Sequence, residues 1–158
     1  MKQKVCTELI YLEPLSSEHI QEYMAAFSPT VQKILDVHMP ESEREYLHAR
    51  IEQRVPFFYV IKDKESGVLI GAIEIRDPAT RSQLYCWLNE AWWGSGRFQQ
   101  AIRLAAHNYF SQTNEDAITA HVYCDNLRSV HALQKAGFAS HGTTGSQAHK
   151  QFVLLLQR

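Results

Sequence analysis

The chain lacks an excess of charge of either sign and lacks any long hydrophobic run. Its 158 residues include 16 Lys and Arg and 17 Asp and Glu, which gives a formal net charge of −1 at pH 7. This balance excludes the extended positive surface of a general nucleic-acid-binding protein. No apolar stretch approaches the roughly 18 residues that a membrane-spanning helix needs, so we expect no membrane segment.

Cysteines are few, and they are not spaced as metal ligands or as a disulfide framework. The three, Cys6, Cys86 and Cys124, are an odd number. No cluster of Cys, His or Asp has the spacing of a metal site, so we assign no metal. Residues 1–8 contain no long apolar core of the kind found in a secretory signal. These features favour a reducing compartment, and we expect a cytoplasmic protein.

Pro/Gly-rich linkers, internal repeats and low-complexity tracts are also missing. We therefore draw no boundary within the chain and treat 1–158 as a single domain. A domain of this length buries roughly 70% of the surface of its unfolded chain, which is enough for a full core without disulfides.

What the sequence does contain is a regular succession of strand and helix patterns. Apolar alternation and β-rich runs predict strands at residues 9–12, 57–61, 68–75, 84–89, 117–124, 138–140 and 151–156. Apolar residues at helical spacing predict helices from Ser16 or Ser17, at 30–35, from Ser42 to before Pro56, at 98–110 and at 127–135. Residues 142–145 are predicted to be a mobile loop. The order predicts an α/β (α+β) fold, a mixed, mostly antiparallel central sheet of about six to seven strands with helices on both faces.

A glycine-rich junction lies between the fourth predicted strand and the helix that follows it. It reads Trp92-Trp93-Gly94-Ser95-Gly96-Arg97-Phe98. Glycines there let backbone N–H groups face an anion at a helix N-terminus, where the helix dipole adds roughly 0.3–1 kcal/mol per charge. Arg97 adds a positive charge. A tight strand-to-helix turn without a ligand is the alternative interpretation, and no Gly-Lys-Ser/Thr follows to make a Walker loop.

A second motif follows about thirty residues later. Asn126-Leu127-Arg128-Ser129 opens a short predicted helix, and Lys135-Ala136-Gly137-Phe138 closes it. Each motif alone is weak evidence. Together they favour a nucleotide-pyrophosphate site in an acyl-CoA-dependent transferase.

Both motifs and the order of elements resemble the GCN5-related N-acetyltransferase (GNAT) superfamily over nearly the whole chain. The stretch Tyr85-Cys86-Trp87-Leu88-Asn89, followed by Trp93-Gly94-Ser95-Gly96, is most similar to the Rim-type branch of ribosomal-protein N-terminal acetyltransferases. That branch often reads Tyr-Trp-Leu-Asn-Pro-x-Tyr-Trp-Gly-x-Gly here. Ala91 stands in the Gln/Arg position of the general motif, and Arg97-Phe98-Gln99-Gln100 replaces the smaller residues usual at the helix start.

The resemblance implies acetyl-CoA as the cosubstrate and assigns its contacts residue by residue. A backbone N–H of Leu88 or Asn89 would hold the thioester carbonyl, as in an oxyanion hole. Asn126 would hold the pantetheine arm. The remaining cofactor-binding positions that the resemblance implies are Trp93, Gly94, Ser95, Gly96, Arg97, Phe98, Ser129 and Lys135.

Ser129 and Glu74 are the predicted catalytic residues. Leu133 occupies the position where many relatives carry a Tyr that protonates the thiolate, and the Rim-type resemblance gives this role to Ser129. The alternative for Ser129 is an ordinary Ser near a helix N-terminus. Glu74 lies in a run that is apolar on both sides, which makes it a candidate general base for the amine. Its alternative is a solvent-facing Glu near a strand end.

The predicted function is transfer of an acetyl group from acetyl-CoA to a primary amine by direct attack, with a protein N-terminal α-amine favoured. Deprotonating an α-amine at pH 7 costs only about 1 kcal/mol, against roughly 4.6 kcal/mol for a lysine, which suits a site without an obvious strong base. The alternatives are acetylation of a small amine (a polyamine, an amino acid or an antibiotic) and a non-catalytic CoA-binding regulatory module.

Partners follow from the same interpretation. We expect an amine acceptor, no general nucleic-acid binding and no membrane partner. A homodimer is one oligomeric state that the sequence leaves open. Residues 41–53 carry alternating charges and are predicted to form a solvated helix face that borders the acceptor groove.

Overall fold

One mixed sheet forms the centre of the molecule. The computed structural model describes residues 5–76, 82–147 and 150–158. The strands of these residues are β1 (Val5–Cys6), β2 (Ile10–Pro14), β3 (Phe58–Asp63), β4 (Leu69–Arg76), β5 (Gln83–Leu88), β6 (Ala117–Tyr123), β7 (Ala139–Thr144) and β8 (Gln151–Gln157). Across the sheet they run β1-β2-β3-β4-β5-β6-β8-β7.

Helices cover both faces of this sheet. Those described are α1 (Ile20–Ala26), α2 (Pro29–Ile34), α3 (Pro40–Glu52), α4 (Arg97–Gln112) and α5 (Leu127–Lys135). Short 3-10 turns, Ser17–His19 and Glu90–Trp92, come before α1 and α4. In sequence, α1 to α3 lie between β2 and β3, whereas α4 and α5 lie on either side of β6.

Strand pairing is antiparallel except between β5 and β6. These two strands are parallel, and their described register consists of two Cα pairs, Gln83 with Thr119 and Leu84 with Ala120. Past these pairs β5 continues along β4 as far as Leu88, and β6 continues along β8. The centre of the sheet therefore opens towards the C-terminal ends of β5 and β6.

The larger core lies on the face covered by α4 and α5. The residues that α4 buries are Ala101, Ile102, Ala105, Ala106 and Tyr109. Their spacing is that of one helical face. Ile73 of β4, Leu84 of β5 and Ile118 of β6 belong to the same cluster. This core holds α4, and with it the glycine-rich junction, against the middle of the sheet.

The smaller core lies on the opposite face, under α1 to α3. Tyr23 of α1 and Phe27, the residue that follows α1, meet Trp87 of β5 in edge-to-face contacts, with ring centroids 5.1 and 5.2 Å apart. Helix α3 enters this core through one buried residue, Leu47, which is 0% exposed. The partly buried Tyr46 packs against the same core, and these two side chains help to hold the helix that borders one side of the opening.

Local chemistry explains where the helices begin. Ser28 caps α2, because its Oγ accepts a hydrogen bond from the N–H of Val31 at 3.2 Å, and Pro29 takes the first helical position. Asn126 caps α5 in the same way. Gly96 precedes α4 with a φ of 80°, which glycine adopts without strain.

The fold class predicted from the sequence is confirmed. The sheet is mixed and mostly antiparallel, seven of its strands have five or more residues, and the two-residue β1 adds the eighth described strand. The predicted loop at 142–145 is wrong for residues 142–144, because they belong to β7 and Thr143 pairs with Phe152. Every residue of β7 is exposed, so the segment has no apolar alternation that would reveal a strand.

We expect Leu47→Ala to lower the free energy of unfolding by about 3 kcal/mol, because truncation of a fully buried Leu costs about 2–5 kcal/mol. Urea denaturation followed by circular dichroism measures the loss. His48→Ala, at an exposed position of the same helix, is the matched control and is expected to change stability by less than about 0.5 kcal/mol. Equal stability of the two variants would show that α3 is held by other contacts.

Candidate active site

A backbone N–H group of β5 points into the opening between β5 and β6. In an antiparallel ladder, successive residues point their N–H groups alternately towards one neighbouring strand and the other. The N–H of Asn89 donates to the carbonyl of Ile70 at 2.8 Å. The N–H of Leu88 therefore points the other way, into the opening. The carbonyl of Leu88 accepts from Nε1 of Trp93 at 2.7 Å, so the Trp93 indole lies beside this amide.

Of the two predicted carbonyl donors, this ladder favours Leu88 over Asn89. The N–H of Asn89 is already used within the sheet, and its side chain is used as well. Oδ1 accepts from the N–H of Ala91 at 3.0 Å, and Nδ2 donates to the carbonyl of Ala26 at 2.9 Å. Asn89 therefore caps the 3-10 turn that follows it and ties this turn to α1.

The glycine-rich junction gathers amides at the N-terminus of α4. Gly94 and Gly96 have φ angles of 73° and 80°, and a Cβ built on Gly94 would meet no atom within 4 Å. The space beside this turn is therefore open. The N–H of Gln100 makes a helical bond to the carbonyl of Gly96, whereas the amides from Arg97 to Gln99 precede that bond and face the helix end. An anion is favoured there.

The side chain of Arg97 is engaged by the protein. Its Nε donates to Oδ1 of Asp63 at 3.0 Å, and its guanidinium lies 5.0 Å from the ring centroid of Trp92. Hydrogen bonds from Ser66, together with the Arg97 ion pair, lower the pKa of Asp63 against the opposing effect of burial. The side chain of Arg97 thus fastens the junction to the end of β3, and the backbone N–H of Arg97 is left for the predicted cofactor contact.

Asn126 and Ser129 lie together at the start of α5. Oδ1 of Asn126 accepts from the N–H of Ser129 at 3.5 Å. The capping side chain is therefore Asn126, and Ser129 contributes only its N–H to the cap. Lys135 lies at the other end of α5, where its carbonyl accepts a hydrogen bond from Arg103 of α4.

A cavity of about 930 Å³ brings most of the predicted site together. The predicted residues that line it are Glu74, Leu88, Trp93, Gly94, Ser95, Gly96, Phe98, Asn126, Ser129 and Lys135. Asn89 and Arg97 lie outside its described lining. Ligand sites usually measure roughly 300–1,000 Å³, so this cavity lies at the upper end of that range.

Arg128 is a site residue that sequence reasoning missed. It lines the cavity, and its guanidinium lies 3.1 Å from the ring centroid of Trp93. Burial lowers its pKa from the usual value, but an arginine side chain remains a cation. The feature of the sequence that could have identified Arg128 is its position within the second motif. Arg128 brings the positive charge that had been expected from the side chain of Arg97.

Glu74 lies on the cavity wall and is 3% exposed, but its oxygens are occupied. Arg50 donates to Oε2 through Nε at 2.9 Å and through Nη2 at 2.5 Å. Arg76 donates to Oε1 at 3.1 Å, and the hydroxyl of Tyr46 donates to the same oxygen. These donors use the lone pairs that a general base needs. The geometry therefore disfavours Glu74 as the base.

A second carboxylate on the cavity wall belongs to Glu43 of α3. Its Oε2 accepts from the hydroxyl of Tyr23 at 2.6 Å, and that hydroxyl accepts from Nε1 of Trp87 at 3.1 Å. Sequence reasoning missed Glu43, because it lies in the charge-rich segment 41–53 that was predicted to be a solvated helix face.

Metal and thiol chemistry find little support in the part of the chain that is described. Within residues 5–76, 82–147 and 150–158, no group of three or more His, Cys, Asp or Glu is placed to hold a metal ion. None of the helices described is long and apolar enough to cross a membrane.

Cys86 is a free thiol on the cavity wall, and burial raises its pKa to about 12. It is therefore a poor nucleophile at neutral pH.

Known structures share this fold. An acetyltransferase from Salmonella typhimurium that modifies the N-terminal serine of ribosomal protein L7/L12 is 14% identical, with a TM-score of 0.82 and 99% of each chain covered. The ribosomal-protein-S5-alanine acetyltransferase from Vibrio fischeri is 16% identical, with a TM-score of 0.80 and coverage of 99% of this chain and 97% of that one. The microcin C7 self-immunity acetyltransferase MccE, solved with acetyl-CoA and AMP, is 14% identical, with a TM-score of 0.75 and coverage of 96% and 94%.

At these identities the similarity establishes the fold alone. No curated protein sequence matches the chain. A family model, described as an acetyltransferase (GNAT) domain, matches residues 10–139, which is most of the chain. The chain therefore belongs to the GNAT acetyltransferase family.

Proposed function

We propose that the protein transfers an acetyl group from acetyl-CoA to a primary amine, with the α-amine of a polypeptide as the favoured acceptor. The observation that carries this proposal is the opening between β5 and β6, into which the N–H of Leu88 points. Backbone groups that leave a ladder need other partners. A ligand laid along β5 supplies them.

The residues around the opening fit acetyl-CoA. The amides at the start of α4 suit a diphosphate, and the open space beside Gly94 leaves room for one. Arg128 adds a positive charge to the cavity wall. The side-chain amide of Asn126 suits the amide groups of a pantetheine arm. Acetyl-CoA supplies an activated thioester, and the protein has to position it and polarise its carbonyl.

Two groups of this chain act on the thioester in the proposal. The N–H of Leu88 donates to the carbonyl oxygen, where negative charge builds up as the amine attacks. The hydroxyl of Ser129 protonates the leaving thiolate. The acetyl group passes directly to the amine without an enzyme-bound intermediate, which agrees with the poor nucleophilicity of the buried Cys86 thiol.

An α-amine is the favoured acceptor for an energetic reason. Its deprotonation at pH 7 costs about 1 kcal/mol, against roughly 4.6 kcal/mol for a lysine. Two of the similar structures are described as enzymes that modify ribosomal proteins, which supports the same class of acceptor. A cytoplasmic location is part of the proposal, since the free thiols of Cys86 and Cys124 suit a reducing compartment.

The proposal predicts which acceptors release free thiol from acetyl-CoA. We expect the fastest release with peptides that have a free α-amine, and slower release with the same peptides when the α-amine is blocked and only a lysine is left. Thiol release with small amines but with no peptide would show that the acceptor is a small molecule. Acetyl-CoA binding by calorimetry without thiol release from any acceptor would identify a non-catalytic module.

For Ser129→Ala we expect kcat to fall roughly 10²-fold, because the thiolate loses its positioned acid. The dissociation constant for acetyl-CoA, measured by calorimetry, should stay unchanged. Ser129→Thr retains a hydroxyl and should keep most of the activity. Wild-type turnover in Ser129→Ala would remove Ser129 from the mechanism.

A further inference from the structure

The face of the sheet under α1 to α3 carries a carboxylate that the reaction has not yet used. Trp87 and Tyr85 of β5 lie opposite Ala72 and Glu74 of β4 in the ladder, and these side chains share that face. Helix α3 lies over it and brings Glu43 to the cavity wall. An amine that reaches the thioester from this face therefore shares the cavity with Glu43.

Glu43 differs from Glu74 in how many protein donors it has. Glu74 receives hydrogen bonds from Tyr46, Arg50 and Arg76. Tyr23 is the single donor to Glu43 among the described residues. Glu43 therefore keeps lone pairs for an ammonium group. It is also half-buried, so it can exchange a proton with water.

Two hydrogen bonds fix the position of Glu43 relative to β5. Nε1 of Trp87 donates to the hydroxyl of Tyr23 at 3.1 Å, and that hydroxyl donates to Glu43 at 2.6 Å. Burial raises the pKa of Tyr23 well above its usual value, so the hydroxyl remains a donor. Trp87 is the neighbour of Leu88, whose amide polarises the thioester carbonyl in the proposed reaction. The Glu43 carboxylate is therefore held, through Tyr23, by the residue next to the one whose N–H polarises the carbonyl.

The electrostatic surroundings support proton acceptance by Glu43. Burial, together with the nearby charge of Glu74, raises the pKa of Glu43, whereas the Tyr23 hydrogen bond and the charge of Arg76 lower it. The net direction is upward. A general base works best when its pKa lies near the working pH, so this direction suits the role.

Charges on this face argue against an acceptor with several positive charges. Arg50 and Arg76 both pair with Glu74, so two cations share one anion there. A polyamine that placed one nitrogen on Glu43 would find no second unpaired carboxylate on the described cavity wall, because Glu74 is already paired. Its further ammonium groups would lose hydration without a partner, which disfavours a polyamine relative to a monoamine.

The cavity beside Glu43 also has an apolar wall. Ile34, Leu35 and Val37 line it, and they belong to the end of α2 and the segment that follows. An apolar group next to the reacting amine gains free energy by contact with such a wall, at about 25 cal/mol per Å² buried. A charged group there would lose hydration without a partner.

We propose that Glu43 binds the acceptor ammonium group and takes its proton, and that the acceptor is a monoamine with an apolar group beside the nitrogen. This inference rests on the proposed acetyl transfer. The ammonium gives one proton to Glu43, which passes it to water. The nitrogen then bonds to the carbonyl carbon and loses a second proton to water as the C–S bond breaks. The thiolate gains a proton from Ser129, whose hydroxyl is restored from water, so one proton is released overall.

Glu43→Gln tests the role of the carboxylate. The amide oxygen of the new glutamine still accepts a hydrogen bond from Tyr23, so we expect an unchanged temperature of thermal unfolding. The glutamine side chain, however, has neither the charge nor the basicity of a carboxylate. For the best acceptor peptide, kcat/KM should fall about 10²-fold or more, through both a higher KM and a lower kcat. The calorimetric dissociation constant for acetyl-CoA should not change. Glu43→Asp should recover part of the activity, and Glu45→Gln, at an exposed position of the same helix, should retain all of it.

The acceptor class is tested with peptides that differ only in their first residue. Those that begin with Val or Ala should react about tenfold faster or more than those that begin with Asp or Lys, and faster than spermidine. Equal rates, or a preference for spermidine, would overturn the acceptor class. Full activity of Glu43→Gln beside an active wild type would overturn the role of Glu43 and leave the proposed function intact. A wild type that releases no thiol with any acceptor would overturn both.

Discussion

The site depends on the point at which β5 and β6 stop pairing. Their parallel register covers Gln83 and Leu84 against Thr119 and Ala120, while each strand keeps its outer neighbour beyond that point. The sheet therefore remains intact on both sides of a gap. Backbone amides that face the gap lack a strand partner on that side, and the cavity follows the gap from the glycine-rich junction to α3.

Alternation along β5 divides the chemistry between the two faces of the sheet. Leu84 and Leu88 belong to the core under α4 and α5, whereas Trp87 belongs to the core under α1 to α3. The first face carries the helix N-termini, Arg128 and Ser129, which suit an anionic thioester. The second face carries Glu43, which suits a cationic acceptor. The proposed reactants therefore meet at the gap from opposite faces.

Sequence periodicity and local motifs predict the parts of this arrangement that depend on neighbours in the chain. The helix at 127–135 has the predicted bounds, and Gly96 takes the left-handed conformation that the junction requires. Contacts between distant residues were not predictable. Glu74 is neutralised by Arg50, 24 residues away, and Arg97 pairs with Asp63, 34 residues away. No local pattern specifies such pairs, so the side-chain roles had to come from the structure.

In the proposed reaction, the gap between β5 and β6 holds a thioester whose diphosphate lies on the amides at the start of α4. A two-dimensional ¹⁵N NMR titration with coenzyme A tests it most directly, because it reports each backbone amide separately. We expect the largest shifts at Leu88 and from Gly94 to Gln99, with little change in β2 and β7. Shifts confined to other residues, or no saturable shift at the start of α4, would contradict it.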